Sequence, residues 1–137
     1  MTSKFICADA FVSPLVIEEA IWRALDEDLG RAGDVTSIAT VPEGTRGRAI
    51  VVARQAGTIA GLPLVEAAFR KLDPNVEIKG HARDGASVAA KTALMTIEGD
   101  ARSILSAERV ALNFAGHLSG IATVTAEFVR LISHTKA

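Results

Sequence analysis

Between Ile104 and Ile121 the apolar residues recur at steps of three and four: Ile104, Ala107, Ala111, Phe114, Leu118 and Ile121. On an α-helix that spacing gathers them on one side, which demands a core to pack against. The opposite side is polar. Arg102, Ser106, Arg109 and Asn113 form a second stripe, and Gly116 and Gly120 extend it with positions where another backbone or a ligand can come close. A guanidinium beside an amide and a hydroxyl, mounted on a rigid helix, suits a carboxylate or a phosphate. The plain alternative is the solvated side of a helix.

Upstream, the chain alternates short strands with helices. Ser13 caps a helix that starts at Pro14, carries Ile17, Ala20, Ile21, Ala24 and Leu25 inward, and stops at Gly30, with Trp22 at the edge of the core. Residues 1–12 show no period and read as an arm that packs on a neighbour. Gly30-Arg31-Ala32-Gly33-Asp34 is a turn in which the Asp34 carboxylate accepts backbone N–H bonds from Thr36 or Ser37. Strands follow over residues 45–54 and 58–61, then a helix over 62–72. Further strands are expected at 76–82 and 94–99, and from Ala101 the chain is helical, with Gly116 to Gly120 marking a place where it can break. The expected class is α+β: an α/β sandwich over residues 1–102, followed by a helical segment over 103–137.

A net charge of −1, from 15 basic and 16 acidic residues, provides no global field for nucleic acid or for an anionic membrane. Any anion site must be local. A single cysteine, Cys7, rules out an intramolecular disulfide, and no apolar run reaches the length of a bilayer span, so a cytoplasmic setting is expected. Asp26, Glu27 and Asp28 invite a metal reading, but three consecutive helical residues point in three directions, and no metal site is assigned. His81, His117 and His134 lack a spacing that would bring them together, and no catalytic residue is assigned among them. Lys91, in Asp84-Gly85-Ala86-Ser87-Val88-Ala89-Ala90-Lys91, stands in a pattern faintly like a biotinyl or lipoyl carrier, but a modified lysine needs the tip of a tight hairpin, a setting not expected here.

Two strings carry a more specific message. Glu108-Arg109-Val110-Ala111-Leu112-Asn113, followed by Leu118-Ser119-Gly120-Ile121-Ala122-Thr123, resembles the helix that leads into the barrel of quinolinate phosphoribosyltransferases, the carboxylating nicotinate-nucleotide pyrophosphorylases. Leu25-Asp26-Glu27-Asp28-Leu29-Gly30, continuing to Ser37, is similar to the same family's N-terminal signature, in the right order upstream. The resemblance implies a hammerhead-like N-terminal α/β sandwich whose helices lead into an α/β barrel absent from these 137 residues.

It also implies an activity: quinolinate and 5-phosphoribosyl-1-pyrophosphate give nicotinate mononucleotide, pyrophosphate and carbon dioxide, in NAD biosynthesis. Magnesium is the implied cofactor, with ligands outside this chain, and a homodimer or larger assembly is the implied state. By position, Arg109 matches the arginine that family members send across the dimer interface to a quinolinate carboxylate; the alternative for this side chain is an intrachain salt bridge with Glu108 or a nearby acid. Without the barrel the chain is expected to be inactive alone and to leave an apolar helix face uncovered. A non-catalytic dimerisation or binding module, and a related phosphoribosyltransferase-like enzyme with another base substrate, are the competing readings.

Overall fold

The computed structural model describes residues 12–136; Cys7 and residues 1–11 of the N-terminal arm lie outside them. The elements, in order, are α1 (Pro14–Leu29), α2 (Val35–Thr40), β1 (Arg46–Val52), β2 (Gly57–Thr58), α3 (Leu62–Leu72), β3 (Glu77–Gly80), β4 (Ser87–Val88), β5 (Ala93–Asp100) and α4 (Ala101–Ile132). β5 lies between β1 and β3 in an antiparallel three-stranded sheet, and β2 pairs with β4 in a separate two-stranded ribbon. The expected α+β class holds, and no closed barrel occurs among the described residues.

One face of the three-stranded sheet packs against helices. Val51, Met95 and Ile97 point inward to meet Ile17 and Ile21 of α1, Val65 and Phe69 of α3, and Ile104, Ala107 and Ala111 of α4 within a single apolar cluster. On the open face Glu77 of β3 stands directly opposite Glu98 of β5, a like-charge pair that would destabilise the ladder. Arg48 of β1 offsets it at 3.2 Å from Glu98, and Arg46 lies 3.9 Å from Glu77.

Capping fixes where the helices begin. Ser13 Oγ accepts the Leu15 N–H at 3.3 Å with Pro14 next in line, and Gly30 closes α1 with a φ of +57°, a backbone that favours glycine. Asp100 heads α4, accepting the Ser103 N–H at 2.9 Å. α3 is capped from a distance: Gly61 has no side chain to offer, and Asp84, on the loop before β4, accepts the N–H groups of Gly61 and Leu62, each at 2.9 Å. Two orphan donors of a helix start are thereby satisfied by one remote carboxylate.

Several expectations need correction. α4 is continuous across Gly116 and Gly120, without a break. Trp22 is 57% exposed on the outer side of α1 rather than at the core edge. Ile121 is exposed too, because the inward side at that level of α4 is taken by Ser119 and Thr123. α2 and β4, six and two residues long, were too short to show a period.

Lys91 does occupy a turn between β4 and β5, but β4 pairs with β2 and β5 with β1 and β3, so no hairpin presents it. Its φ of +67° is the one left-handed backbone at a non-glycine residue among those described, and its N–H donates to the Ala53 carbonyl at 2.6 Å. The left-handed region costs an L side chain about 1–2 kcal/mol, against about 0.5–1 kcal/mol of added chain entropy for glycine. Lys91→Gly is therefore expected to raise stability by up to about 1 kcal/mol and Lys91→Val to lower it, in urea unfolding. Equal stabilities for the two variants would contradict the strain assigned to this turn.

Candidate functional site: a cleft beside Arg109

The polar stripe of α4 is not simply solvated. Arg102 sends Nε to the Val41 carbonyl at 2.7 Å and Nη2 to the Ile38 carbonyl at 3.1 Å, so a cation occupies the C-terminal end of α2. One turn on, Ser106 Oγ donates to Asp34 Oδ2 at 3.2 Å. Asp34 is also the N-cap of α2, accepting the Ser37 N–H at 3.1 Å and the Ser37 hydroxyl at 2.5 Å. The turn expected at Asp34 is thus the start of a helix, and the glycine-flanked loop before it is tied directly to α4. Its sequence signal was the Asp34 to Ser37 spacing, with Pro42 closing the far end.

Arg109 lies at the mouth of the cleft these contacts create. Its Nη1 is 3.2 Å from Asp28 Oδ1 in the last turn of α1, and its side chain is 75% exposed. On one side of it a cleft of about 650 Å³ is bordered by Gly33, Asp34, Thr36, Ser106 and Asn113. On the other a groove of about 880 Å³ runs between α1 and α4, past Glu27, Asn113, Phe114 and His117. The structure brings Arg102, Ser106 and Arg109 onto the α1–α2 segment as one set of contacts, and Asn113 onto the rim. It does not bring the histidines together: His81 Nε2 contacts Thr96 Oγ1 at 2.8 Å beyond the end of β3, and His134 follows α4. Among the described residues no group of three His, Cys, Asp or Glu side chains is placed to hold a metal, and no helix is long and apolar enough to cross a membrane.

A second contact set explains the string Leu118 to Thr123. Ser119 Oγ accepts the Ala60 N–H at 3.0 Å and donates to the Ala60 carbonyl at 3.1 Å, while Thr123 Oγ1 accepts the Thr58 N–H at 2.9 Å. Two hydroxyls one helical turn apart therefore satisfy backbone groups of Thr58 in β2 and of Ala60 just beyond it, as a neighbouring strand would. They clamp α4 to β2 and to the residues that follow it.

The acids of this framework differ in charge preference. Hydrogen bonds from the Ser37 hydroxyl and then the Ser37 N–H hold the Asp34 carboxyl below its ordinary value, and the Ser103 N–H followed by its hydroxyl does the same for Asp100. Burial pushes Asp84 up, outweighing the N–H bonds from Gly61 and Leu62. For Asp34 and Asp100 the unfolded chain binds protons more readily, so their stabilisation is present above the unfolded value and is lost as pH falls through the folded one. Asp84 works the other way, its contribution being lost as pH rises through its folded value. Stability is therefore expected to fall below about pH 4, with Asp34→Asn and Asp100→Asn flattening that acid limb while lowering stability at neutral pH. Urea unfolding between about pH 2 and 6 measures it, and an unchanged acid slope in both variants would contradict the assignment.

A mixed α/β domain thus clamps a long helix against a capped loop, and the Arg109 guanidinium on that helix faces outward between the two hollows. The profile for the quinolinate phosphoribosyl transferase N-terminal domain matches residues 34–119, and the chain belongs to that family. A quinolinate phosphoribosyltransferase (decarboxylating) from Nicotiana tabacum is 40% identical over 111 residues, covering 81% of this chain and 32% of the relative. A carboxylating nicotinate-nucleotide pyrophosphorylase from Mycobacterium leprae is 41% identical over 124 residues, covering 87% of this chain and 43% of the relative. The solved nicotinate-nucleotide pyrophosphorylase from Francisella tularensis superposes with a TM-score of 0.86 at 32% identity, over 93% of this chain and 45% of that one. The chain thus spans less than half the length of these relatives.

Proposed function

We propose that this chain provides the N-terminal domain of a carboxylating nicotinate-nucleotide pyrophosphorylase, a cytoplasmic phosphoribosyltransferase of NAD biosynthesis acting as a homodimer or larger assembly. The observation that supports this reading is the outward guanidinium of Arg109, 75% exposed, within the family's matched span. In the reaction, the quinolinate nitrogen displaces pyrophosphate from 5-phosphoribosyl-1-pyrophosphate, and loss of carbon dioxide yields nicotinate mononucleotide. Arg109 serves as a substrate-binding residue: projecting from α4 into a neighbouring subunit's pocket, it grips a quinolinate carboxylate through two parallel N–H bonds.

No catalytic group is assigned to the described residues. Magnesium would neutralise charge building on the departing pyrophosphate, and this reading takes its ligands from the remainder of the enzyme and from the substrate phosphates, no described residue being assigned to it. The reading is tested by titrating quinolinate into the complete enzyme with and without Arg109→Ala, where unchanged binding removes Arg109 from the site.

A further inference from the structure

We infer that Asp28 is a positioning residue for Arg109, holding one edge of the guanidinium so that the other stays open for a carboxylate. The inference rests on the substrate role proposed for Arg109 and adds a second residue to it. Its basis is geometric. The contact uses a single guanidinium nitrogen, Nη1, at 3.2 Å from Asp28 Oδ1, and Asp28 is the only polar partner of Arg109 among the described residues. The edge formed by Nε and Nη2 therefore retains the two parallel N–H vectors that match a carboxylate.

The two partners are unequally placed. The Asp28 side chain is 21% exposed and the Arg109 side chain 75%, so the acid is the fixed member and the arginine the reaching one. Asp28 stands in the final turn of α1, which Gly30 closes with an N–H bond to the Asp26 carbonyl at 3.0 Å and which Ile21 and Leu25 anchor in the core. Glu108, adjacent in sequence and on the border of the same cleft, makes no ion pair with Arg109. An exposed pair of this kind contributes little to stability, about 0.2–1 kcal/mol. Its effect lies in restricting a long side chain whose ordering would otherwise be charged against binding.

The experiment is quinolinate titration of the complete enzyme as wild type, Asp28→Ala, Asp28→Glu, Arg109→Ala and the Asp28→Ala/Arg109→Ala double variant. Asp28→Ala is expected to weaken quinolinate about threefold to tenfold, the range expected from leaving one such side chain unrestrained. Asp28→Glu should recover part of that loss. In the Arg109→Ala background removing Asp28 should have no further effect, a non-additivity that a merely structural role would not produce. Should Asp28→Ala disturb folding, judged by its melting curve, the isosteric Asp28→Asn carries the same comparison.

Unchanged or tighter binding in Asp28→Ala, with Arg109→Ala still weakened, overturns the positioning role and leaves the substrate role standing. An equal loss in both backgrounds also overturns it, since Asp28 would then act elsewhere. Loss of effect in Arg109→Ala itself removes both.

Discussion

Replacing Arg109 by alanine is expected to weaken quinolinate binding by about 2–5 kcal/mol, at least thirtyfold, the range for removing one partner of a sequestered, hydrogen-bonded charge pair. The fold should survive, because the only ion pair lost is the exposed contact with Asp28. Arg109→Lys separates charge from shape: an ammonium keeps the attraction but cannot form two parallel bonds, so it should recover only part of the affinity. Calorimetric titration with quinolinate, paired with melting curves, provides both readouts. A large loss of melting temperature in Arg109→Ala would contradict the exposed placement, and equal affinity for Arg and Lys would contradict the two-bond grip.

The second large effect concerns how α4 is held. Gly61 has φ of +95°, and a Cβ there would lie 2.9 Å from Leu118 Cδ1 and 3.4 Å from the Phe114 carbonyl oxygen. The Leu118 methyl can rotate away, but the carbonyl belongs to the helix backbone and the backbone strain remains. Gly61→Ala is therefore expected to destabilise the domain by about 2–4 kcal/mol, combining left-handed strain with overpacking. Gly116→Ala is the opposite case. Its Cβ would meet nothing within 4 Å, so removing a helical glycine should stabilise this chain by up to about 1 kcal/mol. Urea unfolding of the two variants tests the pair, and equal effects would show that the close approach of α3 and α4 is misplaced.

The same glycines show what was legible in the sequence. The apolar spacing of Ile104, Ala107 and Ala111 read correctly because burial and period coincide in that part of α4. Beyond Phe114 they separate: Gly116 and Gly120 looked like a break, yet the helix is supported there by Leu118 against Gly61 and by Ser119 and Thr123 against β2. Tertiary contacts override local propensity, and no window of the sequence displays them. α3 was legible to the residue because Pro63 opens it and Asp73-Pro74 closes it, but its cap from Asp84, more than twenty residues away, was not.

The site divided in the same manner. The residue types of the α4 stripe were visible, and the resemblance singled out Arg109, whereas the solvated reading of that face fails for Arg102 and Ser106, which tie α4 to α2 and its cap. Asp28 appeared in the sequence as one of three consecutive acids within the string that resembles the family's N-terminal signature, with no role of its own. Helix geometry turns it toward Arg109, a relation between α1 and α4 that requires the packed fold. Further along α4, Val124, Phe128, Val129 and Ile132 are exposed apolar side chains.

The central claim is that Arg109 acts in a neighbour's pocket rather than in its own, and subunit mixing tests it most directly. One variant carries Arg109→Ala with an intact pocket and is assayed at quinolinate concentrations too low for its weakened site; the other carries an intact Arg109 and a pocket disabled in the barrel portion. If the arginine crosses between subunits, random reassortment makes half of the dimers mixed, each with one complete site of two, and activity returns to about one quarter of wild type. No return of activity, with mixed dimers demonstrably formed, would place the arginine in its own subunit and contradict the account.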